Sequence, residues 1–401
     1  MSISVPAMVT PSLLIWAREE AGFALEVVAE KTKIPLNKLW DWEEGKKQPS
    51  IRQAEKLAKL YDRTLSVLSL PQPPELPPLA TEYRHLPGIN PGDEPPALRR
   101  FVRRLVQQRR IAIHLFEELS DEPLDFSFSL KIEDDSEKAG DQLRDALRVS
   151  IEQQMTWTSE FEAFRAWRTA VEKLGVLVCQ FPGKEITEVR GLGILHFPLP
   201  VIGISSKEIP LAKPFTLVHE LVHLALAVGN EEMVAFNEKR SSQEWLKIER
   251  FCESVAAVVL MPKQALIQDT DVIYQKATAE WTVNGMRRTA KRFKVTPTAV
   301  ATRLLWLNVM SYSDYSNWKQ DWKVWRESHP ENSGFAIKSP PEKAITRAGP
   351  LFTSLVLDAL NFERISSTDA SQYLNISFNH VETLRKAWMQ APGPFPTKTL
   401  D

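Results

Sequence analysis

The chain has little cysteine: Cys179 and Cys252 are the only two in 401 residues. Two thiols make neither a disulfide framework nor a thiolate metal site, so a reducing compartment is expected. It also lacks an excess of either charge, since 50 Lys and Arg against 51 Asp and Glu leave a formal net charge of −1. No field of the whole molecule therefore holds it on nucleic acid or an acidic membrane, and such binding has to come from a local patch. Long hydrophobic runs are missing as well. The longest apolar-rich stretch, Phe215 to Val228, falls short of the roughly 20 residues a bilayer requires and carries two histidines and a glutamate. Met1 to Thr10 has no basic segment followed by an apolar run, so no signal peptide is expected. Secreted, membrane-spanning and disordered classes are set aside, and a cytoplasmic protein without membrane contact is the expectation. The chain has no internal repeat.

At roughly 150 residues per domain the length predicts two or three domains. One break is plain. Pro71 to Pro96 reads PQPPELPPLATEYRHLPGINPGDEPP, too rich in proline for helix or central strand, so a linker is expected over 71–97. Leu98 to Leu119 follows as a helix with an apolar stripe of Phe101, Val102, Leu105 and Val106; the arginines from Arg99 to Arg110 are expected as a solvated face, the alternative being contact with DNA phosphates or an acidic partner. Glu160 to Leu174 reads as helix. Gly175–Phe181, Leu192–Phe197 and Val201–Ser205 read as strands bounded by glycine and proline. Phe215 to Met310 is mostly helical, Pro330 to Pro350 is a second boundary, and a helical segment closes the chain. The expected domains are residues 1–70, 98–325 and 340–401, in an α+β, mostly helical fold with a small sheet.

Leu13–Ala21, Leu25–Lys31, Leu36–Trp42 and Ile51–Leu60 predict four short helices with tight connections, Ile34 plugging a turn and Leu39 and Trp42 facing the core. Carried by LEVVAEKTKIPLNKLWDWEEGKKQPS, residues 12–70 resemble the Cro/repressor-type helix-turn-helix family. In that family the second helix of the pair enters the major groove. The resemblance implies DNA binding, with Leu36, Asn37 and Lys38 at base edges and Lys46 and Lys47 on phosphates. Lys33 holds the turn position where glycine is usual, and Asp41, Glu43 and Glu44 surround the presumed reading surface. So neutral a module binds weakly unless it dimerises, which makes a homodimer an expectation. The alternative is a protein-interaction module with the same fold.

The sharpest signal is His219-Glu220-Leu221-Val222-His223. On a helix, residues four apart share a face, so both imidazoles can ligate one ion while Glu220 faces its water. Zinc needs a third protein ligand and an open position; it then lowers the pKa of water, and the glutamate accepts the proton. Ile248, Phe251, Cys252, Val255, Ala256 and Val259 define the apolar stripe of a following helix. At 100° per residue Glu249 lies about 90° from the stripe's centre and Glu253 about 130°. Glu249 is the expected third ligand, with Glu253 as a supporting neighbour or the alternative ligand.

RGLGILHFPLPVIGISSKEIPLAKPFTLVHELVHLAL followed by IERFCESVAAVVLMP resembles the ImmA/IrrE family of zinc metallopeptidases over roughly residues 160 to 265. Phe215-Thr216-Leu217, the HExxH and Leu260-Met261-Pro262 are the matching words. The resemblance implies a zincin-like metallopeptidase domain, a Zn2+ cofactor, and an intracellular regulatory protease acting on one partner protein such as a repressor. Glu253 stands where Asn or Asp is common in the family, and Cys252 where alanine is usual. The alternative function is a non-proteolytic transcriptional regulator or antitoxin-like protein that binds DNA and a small toxin-like partner.

Three weaker features complete the reading. Tyr312, Tyr315, Trp318, Trp322 and Trp325 recur at helical spacing and are expected as a docking stripe between domains. His85, His114, His196, His329 and His380 have no ligand spacing, and only His196 lies near the site in sequence. Residues 363–388 look like a second helix-turn-helix-like unit, for packing or interaction rather than base reading.

Overall fold

The computed structural model describes residues 5–74, 95–182, 189–228, 242–329, 339–390 and Phe395. Most of the expected linker, 75–94 with His85, lies outside the described residues. So do 330–338 of the second proline-bearing boundary and most of the chain beyond 390. The chain divides into two compact units, Met1–Val106 and Gln107–Asp401, the division falling inside one helix, Pro96–Glu118.

The first unit contains α1 (Pro11–Glu20), α2 (Leu25–Thr32), α3 (Leu36–Glu43), α4 (Ile51–Tyr61) and the start of α5 (Pro96–Glu118). Local chemistry sets these ends. Proline opens α1, and Ser50 and Gln53 form a reciprocal capping box at α4, satisfying donors that the first turn leaves open. Leu14, Val28, Leu39, Trp42, Leu57 and Tyr61 meet in one core, and Ile34 is buried in the turn. Lys33 ends α2 at φ 57°, a left-handed conformation that costs a non-glycine residue about 1 kcal/mol. Arg18 grips Glu43 through two hydrogen bonds of 2.7 and 3.0 Å, tying α1 to α3.

The arginine face of α5 is not simply solvated. Arg103 pairs with Glu20, Arg104 donates to both oxygens of Asp62 at 3.1 and 2.7 Å, and Arg99 donates to the Glu19 carbonyl at 3.2 Å. The first turns of the helix answer carboxylates and a helix-end carbonyl of their own unit.

The second unit is built on a three-stranded sheet of order β1-β3-β2: β1 (Leu177–Phe181) runs parallel to β3 (Val201–Ser205), and β2 (Gly191–Ile194) runs antiparallel to it. Every strand residue is buried, which is why the strands read as unbroken apolar runs rather than as alternation. α8 (Glu160–Glu172) and the sheet flank α9 (Lys213–Ala227), a helix apolar on nearly every side and therefore buried. α10 (Ser242–Leu260) packs on α9 and on α6 (Ser136–Leu147). Neither α6 nor the short α7 (Ile151–Thr156) was anticipated from sequence.

The end of α10 is held by side chains from three other helices. Arg144 of α6 donates to the Val259 carbonyl, and Gln154 of α7 to that of Leu260 at 3.0 Å. Arg303 of α14 (Pro297–Trp306) donates to Met261 at 3.3 Å, and Glu137 neutralises it through contacts of 2.6 and 2.7 Å. Carbonyls that a helix end leaves open thus find buried donors.

The remaining helices are α11 (Lys263–Ile267), α12 (Thr270–Thr278), α13 (Val283–Phe293), α15 (Tyr312–Ser328), α16 (Pro340–Ala348), α17 (Pro350–Asn361), α18 (Ser367–Leu374) and α19 (Phe378–Gln390). On α15, Trp318, Trp322, Trp325 and His329 stack in succession with ring centroids 5.9, 5.2 and 4.4 Å apart. That helix packs on α13 and α14, burying Trp318 and leaving Tyr312 exposed, so the stripe packs within the second unit where docking between domains was expected. α18 and α19 are joined through Asn375, left-handed at φ 48°, as a helix–turn–helix.

Candidate metal centre

Pro214 opens α9 in its first turn, and the helix carries His219 and His223 one turn apart with their Nε2 atoms 3.1 Å from each other. α10 brings Glu249 against both: Oε2 lies 3.3 Å from His219 Nε2, and Oε1 3.3 Å from His223 Nε2. One ligand atom from each of the three falls within 4.8 Å of the others, the one such group among the described residues. Tetrahedral ligands at ~2.0–2.2 Å from an ion stand roughly 3.3–3.6 Å apart. The two imidazole nitrogens, 3.1 Å apart, and a carboxylate with one oxygen 3.3 Å from each come close to these separations and suit a metal with a fourth position open.

Glu253 is exposed and outside the group. It sits one turn further along α10 and ~40° further from the apolar stripe, which turns it to solvent. His223 is backed by Cys252, whose Sγ is 3.4 Å from Nδ1. A partner on one ring nitrogen fixes the orientation in which the other faces the centre, so Cys252 takes a supporting place that the sequence reading left open. His196 follows β2 half-buried and outside the group.

Glu220 is 4 % exposed and lies against β2. A Cβ at Gly191 would fall 3.0 Å from its Oε1 and 2.7 Å from Thr216 Cγ2, and one at Gly193 would fall 3.8 Å from its Oε2. Sequence reasoning missed these two glycines. Their signal was present as Gly-Leu-Gly within an apolar strand, a mark of close approach to another element.

The helix-turn-helix residues divide between core and surface. Asn37 and Lys38 are exposed on α3 beside Trp40, whereas Leu36 is half-buried and packs against the core of the unit. Glu43, expected near the reading surface, is withdrawn to Arg18. Lys46 and Lys47 are exposed, but they pair with Glu44 at 2.5 Å and with Asp41 at 2.6 Å.

Residues 171–305 match a peptidase family model described as an IrrE N-terminal-like domain, and residues 14–68 match one described as helix-turn-helix. The first spans the sheet, α9 and α10 and runs on through most of α14; the second spans α1 to α4. Both resemblances carried by the sequence motifs therefore hold. No curated protein is significantly similar to the chain, and no described helix is long and apolar enough to cross a membrane.

Proposed function

We propose that the chain is a cytoplasmic, regulatory zinc endopeptidase that cuts one partner protein, such as a repressor, and that its helix-turn-helix brings it to DNA. The observation that carries this reading is the meeting of His219, His223 and Glu249, with Glu220 next to His219 in the chain and buried against β2. Zinc held by the three ligands would supply Lewis acidity toward a peptide carbonyl and lower the pKa of water. Glu220 accepts the proton of the attacking water and returns it to the leaving amine. Its carboxylate is pre-positioned, since the glycines of β2 let it lie flat against the strand. His223 is buried and steadied by Cys252, while His219 and Glu249 keep a partly exposed side through which substrate and water can enter. On DNA, Asn37 and Lys38 reach the groove, and Lys46 and Lys47 become free for phosphates once they exchange their own carboxylates.

The test is coexpression with the product of the neighbouring gene, followed by mass spectrometry. The native chain should yield one discrete cut, and Glu220→Gln should keep metal and fold while yielding none. A Glu220→Gln chain that retains full biological activity in cells would refute the proteolytic reading and leave a regulator that acts by binding DNA and a toxin-like partner.

A further inference from the structure

Between α17, the end of α5 and the segment that follows it lies a cavity of about 240 Å³. Phe116, Leu119, Leu199, Leu351, Leu355 and Phe362 give it apolar walls. Its charged lining is of one sign: Asp121, Glu122, Glu172 and Asp358, with no lysine or arginine among the described residues that face it. Asp121 and Glu122 are exposed, whereas Glu172 and Asp358 are 0 % and 8 % exposed.

The two buried carboxylates differ. Glu172 accepts the Leu351 N–H at 3.2 Å and stands 3.6 Å from Arg168. Asp358 has no cation among the described residues. Its Oδ2 takes a 3.3 Å hydrogen bond from Ser354, whose single proton is contested by the Phe395 carbonyl at 3.4 Å. Its Oδ1 is buried and has no hydrogen-bond partner. Burial pushes the Asp358 carboxyl up to about 6. A buried acceptor left open in this way costs about 1–3 kcal/mol, and a bound donor would remove that cost.

We propose that this cavity binds a small linear diamine, one ammonium on Asp358 and the other toward the carboxylates at the far end. An acidic lining asks for a cation, and apolar walls ask for a methylene body. A metal ion suits neither, because these carboxylates do not converge; the group able to hold a metal lies elsewhere. Length follows from the helix. Asp358 is seven residues beyond Leu351, the residue that contacts Glu172, roughly 10 Å along α17. Less a charge-assisted hydrogen bond of about 2.8 Å at each end, that leaves about 5 Å between the two nitrogens, the span of an extended chain of about three carbons. The volume, below the ~300 Å³ at which drug-sized sites begin, agrees with so slim a ligand.

The test is calorimetric titration of the full chain with propane-1,3-diamine at fixed ionic strength. Saturable binding near one per chain is expected. Asp358→Asn should weaken it at least tenfold, Leu355→Phe should weaken it by filling the cavity, and propan-1-ol should not bind. Both variants are first checked for native circular dichroism; should Asp358→Asn fail to fold, Leu355→Phe decides alone. An absence of saturable binding, an unchanged affinity in the decisive variant, or equal competition by magnesium chloride would overturn the proposal and leave Asp358 a neutral buried acid.

Discussion

α6 and α10 meet where Gly140 faces Val258, and the tightness of that crossing can be measured. A Cβ on residue 140 would lie 2.4 Å from Val258 Cβ, 2.5 Å from its Cγ1 and 3.3 Å from the Val255 carbonyl. Carbon atoms settle at about 3.5–4.0 Å, so Gly140→Ala has to drive the helices apart by roughly 1 Å. Overpacking of this kind costs about 1–3 kcal/mol. An approach of 2.4 Å to a Cβ belongs to the upper part of that range, about 2–3 kcal/mol; alanine's better helix propensity offsets about 1 kcal/mol, for a net loss of about 1–2 kcal/mol. Because α10 carries Glu249, zinc affinity should fall as well, by about tenfold or more, as it does when supporting groups shift. Urea unfolding followed by tryptophan fluorescence reads the first effect, and competition with a chelator reads the second. Val258→Gly is destabilising alone but removes the clashing atoms, so the double variant should show a coupling energy of about 1 kcal/mol or more. A Gly140→Ala chain as stable as the parent, or one whose loss is unchanged beside Val258→Gly, would refute the claim that backbone contact sets this crossing.

Purified protein should hold about one zinc per chain by atomic absorption. His219→Ala should lose it, Glu249→Gln should weaken it, and Glu253→Gln should leave it unchanged; loss in the last with retention in the second would reassign the third ligand. Asp358 titrates near 6 when folded against an ordinary 3.8, so the folded state binds the extra proton and stability falls as pH rises through that window. Asp358→Asn should therefore gain stability over the parent as pH goes from 4 to 7, read as the shift in urea midpoint; a gap independent of pH would contradict this. On DNA from upstream of its own gene, Asp41→Asn with Glu44→Gln should release Lys47 and Lys46. By fluorescence anisotropy over a salt series, binding should strengthen for all sequences and depend more steeply on salt. Asn37→Ala should instead relax sequence preference.

The parts that sequence made legible are those whose signals are local. Helices α1 to α5 begin and end within two residues of expectation because proline, Ser50 and apolar spacing mark them. The HExxH helix and the stripe of α10 were legible because two turns of regular spacing put Glu249 on the histidine side and Glu253 off it. What escaped depends on distant partners. Leu36, expected at a base edge, also packs half-buried against the core of α1 to α4, and Glu43 reads as surface acid until Arg18 takes it. α6 hides behind SEKAGDQLRDAL, where Ala139, Leu143 and Leu147 are its few apolar anchors and Gly140 argues against a helix. Only the approach of Val258 explains that glycine.

The far end of α10 acts as a datum from which the candidate metal centre is measured. Eleven residues separate Glu249 from Leu260, roughly 16 Å of helix, and Arg144, Gln154 and Arg303 fix the zero of that scale. Inserting or deleting one residue between those points would advance Glu249 by about 1.5 Å and swing it by about 100°, away from both imidazoles. Tolerance to length change should thus vanish over this stretch, though most of it touches no ligand. Substitution of Arg303 or Gln154 should register as altered metal affinity before it registers as a lost fold. The centre's accuracy resides partly in residues that stand far from it.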